Sequence, residues 1–343
     1  MRVTSICCVW RRCQQKNSLM RCRSLRDDYQ LWIGEQSDRI ESDLPEHREQ
    51  ATAAMARCRD ILERLREGVG ALADTQTLEA FQLANQAMAD QRVHSLYALA
   101  KRRGEEVTVS DFWQPKNHSW RPFQLAFMLL SIPAIKDPLH KDRIEPLSAY
   151  ADLLWFPTGG GKTEAYLGVA AFTMFIRRLQ GDLGGYDSSR GLSVIMRYTL
   201  RLLTLQQFQR ATALICSMEV MRRKAVEADD MRLGTTPFTI GLWVGNKVTP
   251  GSNEESHSAI KDIRNPDKWD AGSTSPAQLT SCPRCGSEID PKRHIEVDRD
   301  RLRTKIYCGD KKGRCEFSVG GSSEQAHPGL PAVVVDEEIY HRP

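Results

Sequence analysis

A chain of 343 residues, 41% apolar and 27% charged, is long enough for one or two domains with a proper core, and this composition excludes disorder over most of its length. Its longest nearly unbroken apolar run, Leu125 to Ile135, has eleven residues and contains Ser131 and Pro133. A membrane span needs about 20 apolar residues, so an integral membrane protein is excluded. The net charge of +4 sits at the start: the first 26 residues carry seven basic side chains and no acid, and beyond them 41 basic residues face 44 acidic ones. The body is slightly acidic, so bulk charge gives no argument for nucleic-acid binding.

Residues 1–26, rich in Arg and Cys, resemble a mitochondrial presequence only in charge, and an unstructured or misassigned N-terminus is the expectation. No secretory apolar segment follows them, which points to a cytoplasmic protein. Residues 27–108 read as a helical region. Ala51, Met55, Cys58, Leu62, Leu65 and Val69 recur at steps of four and three, one stripe of a helix that Gly68 and Gly70 are expected to loosen. Asp74 or Thr75 is placed to cap the next helix, with Leu78, Phe81, Ala84 and Met88 on its apolar face.

From residue 109 to 343 the pattern becomes α/β. Short apolar runs at Leu153–Phe156, Leu192–Met196, Phe238–Val244 and Ala332–Val335 alternate with helical stretches, which predicts a parallel sheet covered by helices. The stretch Ala165 to Ile176 holds no charge and reads as a buried helix, ended by Gly181 and Gly184–Gly185. Residues 250–280, rich in Ser, Asn, Asp, Gly and Pro, read as a surface connection.

The sharpest signal is Pro157-Thr158-Gly159-Gly160-Gly161-Lys162-Thr163, set between the first apolar run and the buried helix. Glycines without side chains let backbone N–H groups surround a phosphate, and the helix N-terminus adds partial positive charge. Thr158, Gly159, Gly160, Gly161, Lys162 and Thr163 are therefore the ATP-binding candidates, with Lys162 on the β- and γ-phosphates and the Thr163 hydroxyl on Mg²⁺. The general phosphate-loop pattern wants a further glycine where Phe156 stands.

Cys282-Pro-Arg-Cys285 and Cys308-Gly-Asp-Lys-Lys-Gly-Arg-Cys315, 22 residues apart, present four thiolates for a structural zinc ion within a ribbon at about 278–320. Gly286 and Gly309 are expected to allow the turns around the metal, and four protein ligands leave no open position for catalysis. Near the end, Val333-Val334-Val335-Asp336-Glu337 has the form of a Walker B strand. On residue type alone, Asp336 would hold Mg²⁺ and Glu337 would polarise water.

Pro-Thr-Gly-x-Gly-Lys-Thr is the form found in superfamily 2 helicases and translocases, and the chain resembles them elsewhere. In that superfamily a glutamine upstream of the loop reads the adenine edge, and Arg121-Pro122-Phe123-Gln124, 38 residues before Lys162, is similar, with Phe123 and Trp120 nearby to stack on the base. The run Arg197 to Gln207 resembles motif Ia, which holds one DNA strand by its backbone, so Thr199, Arg201 and Gln206 are DNA-contact candidates. Thr249-Pro250-Gly251 resembles motif Ib, but three residues with Pro-Gly describe any turn.

Taken together, Arg121–Leu130, Ala151–Gln180, Met196–Cys216 and Val333–Tyr340 resemble the helicase component of the DISARM antiphage defence system, from about Asp27 onward. The resemblance implies a DNA-dependent ATPase that works with other antiphage subunits. It also implies that the DExH box lies beyond this segment, so that Asp336 and Glu337 are not the catalytic carboxylates. The expected protein is α/β: an N-terminal helical layer, then a partial RecA-like ATP-binding domain with a zinc-ribbon insertion. It binds ATP, Mg²⁺, Zn²⁺ and DNA and, as an N-terminal fragment, hydrolyses little. The alternatives are a non-catalytic nucleotide- and zinc-binding interaction module and a subunit of a restriction-type translocase.

Overall fold

The computed structural model describes residues 15–145, 149, 151–157, 159–198, 201–268, 274–319 and 329–341, without the side chains of 15–18, 186 and 201–203. The described chain is mostly helical and divides into two compact units, Met1–Gln86 with His118–Gln180, and Ala87–Asn117 with Gly181–Pro343. No helix among the described residues is long and apolar enough to cross a membrane.

The first unit is built from α1 (Gln15–Asp38), α2 (Ile40–Asp43), α3 (Arg48–Ala71), the start of α4 (Thr75–Arg102), α5 (Pro122–Lys136), α6 (Lys141–Ile144) and α7 (Lys162–Gln180). Residues 15–26, expected to lack structure, are helical, and Cys22 on that stretch is buried. The long helices pack in succession, α1 on α3, α3 on α5 and α5 on α7. The stripe on α3 reaches the core through Leu62, Leu65 and Val69, and that on α4 through Leu78, Phe81, Ala84 and Met88. Asp74 caps α4 by accepting from the Thr77 N–H at 3.0 Å. α7 is buried along most of its length, with only Tyr166 exposed between Ala165 and Ile176.

Gly68 and Gly70 do not loosen α3, which runs through both to Ala71. Gly68 is where α3 and α5 approach most closely: a Cβ there would run into the Leu129 carbonyl. The glycine therefore serves packing.

The second unit holds the rest of α4, α8 (Arg201–Glu227), α9 (Asn253–Arg264), α10 (Pro291–His294), α11 (Asp336–His341) and three strand pairs. β1 (Asp182–Leu183) pairs antiparallel with β2 (Tyr186–Asp187), and β4 (Ile295–Asp298) with β5 (Arg303–Ile306). β3 (Ile240–Gly241) pairs in parallel with β6 (Ala332–Val333), through Ile240 N–H to Pro331 O and Leu242 N–H to Val333 O, both at 2.9 Å. The predicted parallel sheet is thus reduced, among the described residues, to this one pair, and no RecA-like sheet is seen.

The runs Leu153–Phe156 and Leu192–Met196 form no strand. Leu153 and Trp155 are 82% and 88% exposed, Leu192 and Ile195 72% and 79%. A strand exists through the ladder it shares with a neighbour, and apolar side chains alone do not supply one. The expected surface connection of 250–280 also contains a helix, α9, started by Ser252, whose hydroxyl accepts from the Glu255 N–H at 3.2 Å.

The ribbon cysteines are not an appendage. Cys282, Cys308 and Cys315 belong to the same buried cluster as Phe208, Cys216 and Val220 of α8, Leu242, and Ala332 and Val334 at β6. Leu330, just before β6, donates to Ile306 O of β5 at 2.7 Å, which ties the ribbon hairpin to the parallel pair.

The α3–α5 contact gives a signed test. Gly70 has nothing within 4 Å of an added Cβ. Gly70→Ala is expected to stabilise by about 0.5–1 kcal/mol through helix propensity. Gly68→Ala is expected to destabilise by about 1–3 kcal/mol despite the same propensity gain, because α5 must shift. Urea denaturation of the two variants measures both.

Candidate functional site

The phosphate-loop residues lie in the first unit. Gly159 and Gly161 have φ of +78° and +94°, where a side chain is strained, and a Cβ on Gly160 would run into the Phe156 ring. Backbone conformation therefore favours glycine at 159 and 161, and at 160 a side chain would displace Phe156. α7 begins at Lys162, so its first turn carries Lys162 and Thr163 directly after the glycines. The Lys162 ammonium donates to the Phe156 carbonyl at 2.5 Å. Thr158 lies outside the described residues.

Two groups from the start of α5 hold this loop. Arg121 Nη1 donates to Gly160 O at 2.6 Å, and Gln124 Nε2 donates to Gly161 O at 2.8 Å. Gln124 Oε1 accepts from the Arg121 N–H at 2.8 Å, which closes the first turn of α5. From α3, Arg64 makes a two-pronged ion pair to Asp152, at 2.7 and 2.9 Å, and so fixes the lead into the loop where no strand does so. Phe123 stacks on Phe156, with ring centres 3.9 Å apart and planes 16° apart. Trp120 is buried against Gly168, its indole N–H donating to Asn85 at 2.8 Å. Arg121 and Arg64 were not among the sequence candidates. Arg121 stands within the very Arg-Pro-Phe-Gln element that singles out Gln124, whereas Arg64, 88 residues from Asp152, leaves no local signal.

The other candidates lie in the second unit. Thr199 is outside the described residues, and of Arg201 only the backbone, at the start of α8, is described. Gln206 is exposed on α8. Thr249-Pro250-Gly251, read as a turn, meets the acidic stretch: Asp336 N–H donates to Pro250 O and Glu337 N–H to Gly251 O, each at 3.0 Å. Glu337 accepts from the Asn253 N–H at 3.0 Å and buried Glu338 from the Thr304 N–H at 2.6 Å. Two of the three acids are thus occupied in holding α9 and β5. Burial pushes the Asp336 carboxyl above its usual range.

The four ribbon sulfurs, of Cys282, Cys285, Cys308 and Cys315, all lie within 4.8 Å of one another. Tetrahedral zinc with Zn–S bonds of about 2.3 Å sets its sulfurs about 3.8 Å apart. Cys282 to Cys315 is 3.9 Å and Cys285 to Cys308 is 3.3 Å, so the donor set fits a soft tetrahedral ion. Hydrogen bonds from Cys282, then Cys308 and Cys315, lower the pKa of the Cys285 thiol while those of the other three are raised, so the four share one deprotonation, and a metal requires all of them as thiolates. With four protein ligands such an ion supplies folding energy and no open coordination position.

Local chemistry shapes both knuckles. Gly286, at φ +80°, donates its N–H to Cys282 O at 2.9 Å, and a Cβ on it would strike the Ala98 carbonyl of α4. Gly309 makes no left-handed turn; it admits the Glu288 carbonyl, which a side chain would exclude. The six residues between Cys308 and Cys315 are gathered by Asp310, whose carboxylate accepts from the N–H groups of Lys312, Arg314 and Cys315 at 3.2, 2.9 and 3.1 Å.

Arg284, between the first two cysteines, is 5% exposed. Its guanidinium pairs with both oxygens of Glu316 at 2.8 Å and with Asp90 of α4 at 2.7 Å. Burial works against the Glu316 carboxylate, but Arg284 more than offsets it and holds the carboxyl below its usual range. Burial, and then Arg284, lower the pKa of His94, whose Nδ1 faces the Arg284 carbonyl at 3.0 Å.

No protein-family model matches the chain. It is 32% identical, over 343 residues, to the DISARM protein DrmA of Bacillus paralicheniformis, an alignment that takes in 96% of this chain and 28% of that protein. The chain therefore spans under a third of the length of the relative it matches.

Purified chain is expected to carry about one equivalent of zinc per four-cysteine site, read by elemental analysis, and Cys282→Ser is expected to lose it; a metal-free wild type would count against the site. Arg284→Ala is expected to cost about 1–2 kcal/mol in urea melts: the buried guanidinium and its packing are lost, while Asp90 and Glu316, 21% and 38% exposed, can take up water.

Proposed function

We propose that the chain is a nucleotide-binding part of an ATP-driven DNA motor in a DISARM-type antiphage defence system, working with other subunits of that system. The observation that carries this reading is the loop Gly159–Lys162, with its left-handed glycines opening directly into α7 and two cations, Lys162 and Arg121, at its carbonyls. The likeness to a DISARM protein supports the biological setting.

On this reading the triphosphate lies over the glycine amides at the start of α7. The Lys162 ammonium leaves the Phe156 carbonyl for the phosphates, because a charged acceptor is the stronger partner. Thr163, one residue on, offers its hydroxyl to the Mg²⁺ that accompanies the nucleotide. DNA would run along the exposed side of α8 that carries Gln206, with Thr199 and Arg201 just before it, where amide, hydroxyl and guanidinium groups hold phosphates without reading sequence. Hydrolysis needs a carboxylate that can orient water, and Glu337 and Glu338 are already engaged by backbone amides. The four-cysteine ribbon is a zinc-dependent brace of the second unit.

Lys162→Ala is expected to weaken MgATP binding by about tenfold or more, as loss of a charge-assisted contact requires, measured with a fluorescent ATP analogue. With DNA present, the chain by itself is expected to turn over ATP close to background. Vigorous hydrolysis that disappears in Lys162→Ala would contradict the second expectation and uphold the first.

A further inference from the structure

An amide that reads adenine must offer its oxygen and its nitrogen together, one to N6–H and one to N7. Gln124 has both ends turned to the protein. Its oxygen accepts from the Arg121 N–H and its nitrogen donates to the Gly161 carbonyl, each at 2.8 Å, and the side chain is 4% exposed. Contact with the loop is close: a Cβ on Gly161 would stand 2.7 Å from Gln124 Nε2. Moving the amide to a base would take these partners from the Arg121 N–H at the start of α5 and from a loop carbonyl.

The aromatic groups nearest to it are committed in the same way. Phe123 and Phe156 cover one face of each other, and Trp120 lies in the core with its N–H on Asn85.

We propose that Gln124 is a positioning residue, which fixes Gly161 and with it the curvature of the phosphate loop, and that this site selects a nucleoside triphosphate by its polyphosphate with little regard for the base. The proposal rests on the nucleotide-binding reading above and narrows it. A site whose buried polar groups pair with the base discriminates steeply against the wrong one, whereas a site whose polar groups pair with its own backbone does not.

The test is equilibrium titration of the full chain, wild type and Gln124→Ala, with MgATP, MgGTP and magnesium tripolyphosphate, alongside a thermal melt. Wild type is expected to bind ATP and GTP within about threefold of each other, lacking a base-reading pair. The substitution is expected to weaken all three ligands by one common factor, about tenfold, the effect of one hydrogen bond lost from the loop. The base-free ligand is the decisive one, since a base reader would leave it untouched. Preference for ATP over GTP by tenfold or more in wild type overturns the proposal, as does a loss confined to ATP or no change in any affinity. Fewer binding sites at unchanged affinity, with a lowered melt, would reduce Gln124 to a folding role and overturn it too. Binding of GTP and tripolyphosphate but not their weakening leaves the phosphate loop standing. If wild type binds none of the three, the loop reading itself falls, and this proposal with it.

Discussion

Four sulfurs in the middle of an apolar core are the constraint on which the second unit turns. Cys282, Cys308 and Cys315 share their buried cluster with α8 and with the parallel pair β3–β6, so the cluster cannot be relaxed without disturbing both. Four sulfurs all within 4.8 Å of one another are crowded enough as a group that a soft divalent ion is the natural way to satisfy them. Around it the chain spends charge where most cores use leucine. The buried guanidinium of Arg284 ties the first knuckle to Glu316 beside the last cysteine and to Asp90 on α4, and the glycine beside that knuckle admits the α4 backbone. Such a pair adds little net stability over an apolar substitute, but it fixes one arrangement, because any other leaves a charge unpaired.

The glycine loop before α7 is held by a different logic. Its own residues supply little that is rigid: three glycines, two of them left-handed, and a lead-in segment with no strand pairing. Rigidity is brought from neighbouring helices. Arg64 of α3 grips Asp152, while Arg121 and Gln124 at the head of α5 hold the carbonyls of Gly160 and Gly161. The packing of α3 on α5, through Gly68 and Leu129, therefore reaches the loop through side chains as well as through the core.

How far this was legible from residues alone divides by the range of the signal. Local signals read well: the apolar stripes on α3 and α4, the Asp74 cap, the buried run of α7 and the four cysteines are all written within one or two turns of chain. Pairing was not legible. Leu153–Phe156 and Leu192–Met196 have the composition of inner strands, yet nothing in a sequence states which backbone would lie beside them. The glycines show the same divide. Gly68 reads as a helix breaker by propensity and is a packing contact in fact; Gly309 reads as a turn and is a passage for a distant carbonyl. Gln124 was picked out by its resemblance to an adenine reader, and only the positions of Arg121 and Gly161 reveal what its amide is bonded to.

The exposure of Leu153, Trp155, Leu192 and Ile195 has a practical side. Exposed apolar side chains of this kind are what a second chain can bury, and no proline or lysine lies within either run to guard them. Self-association of the chain should accordingly grow with its concentration. Working with the chain dilute keeps those side chains apart while its chemistry is measured.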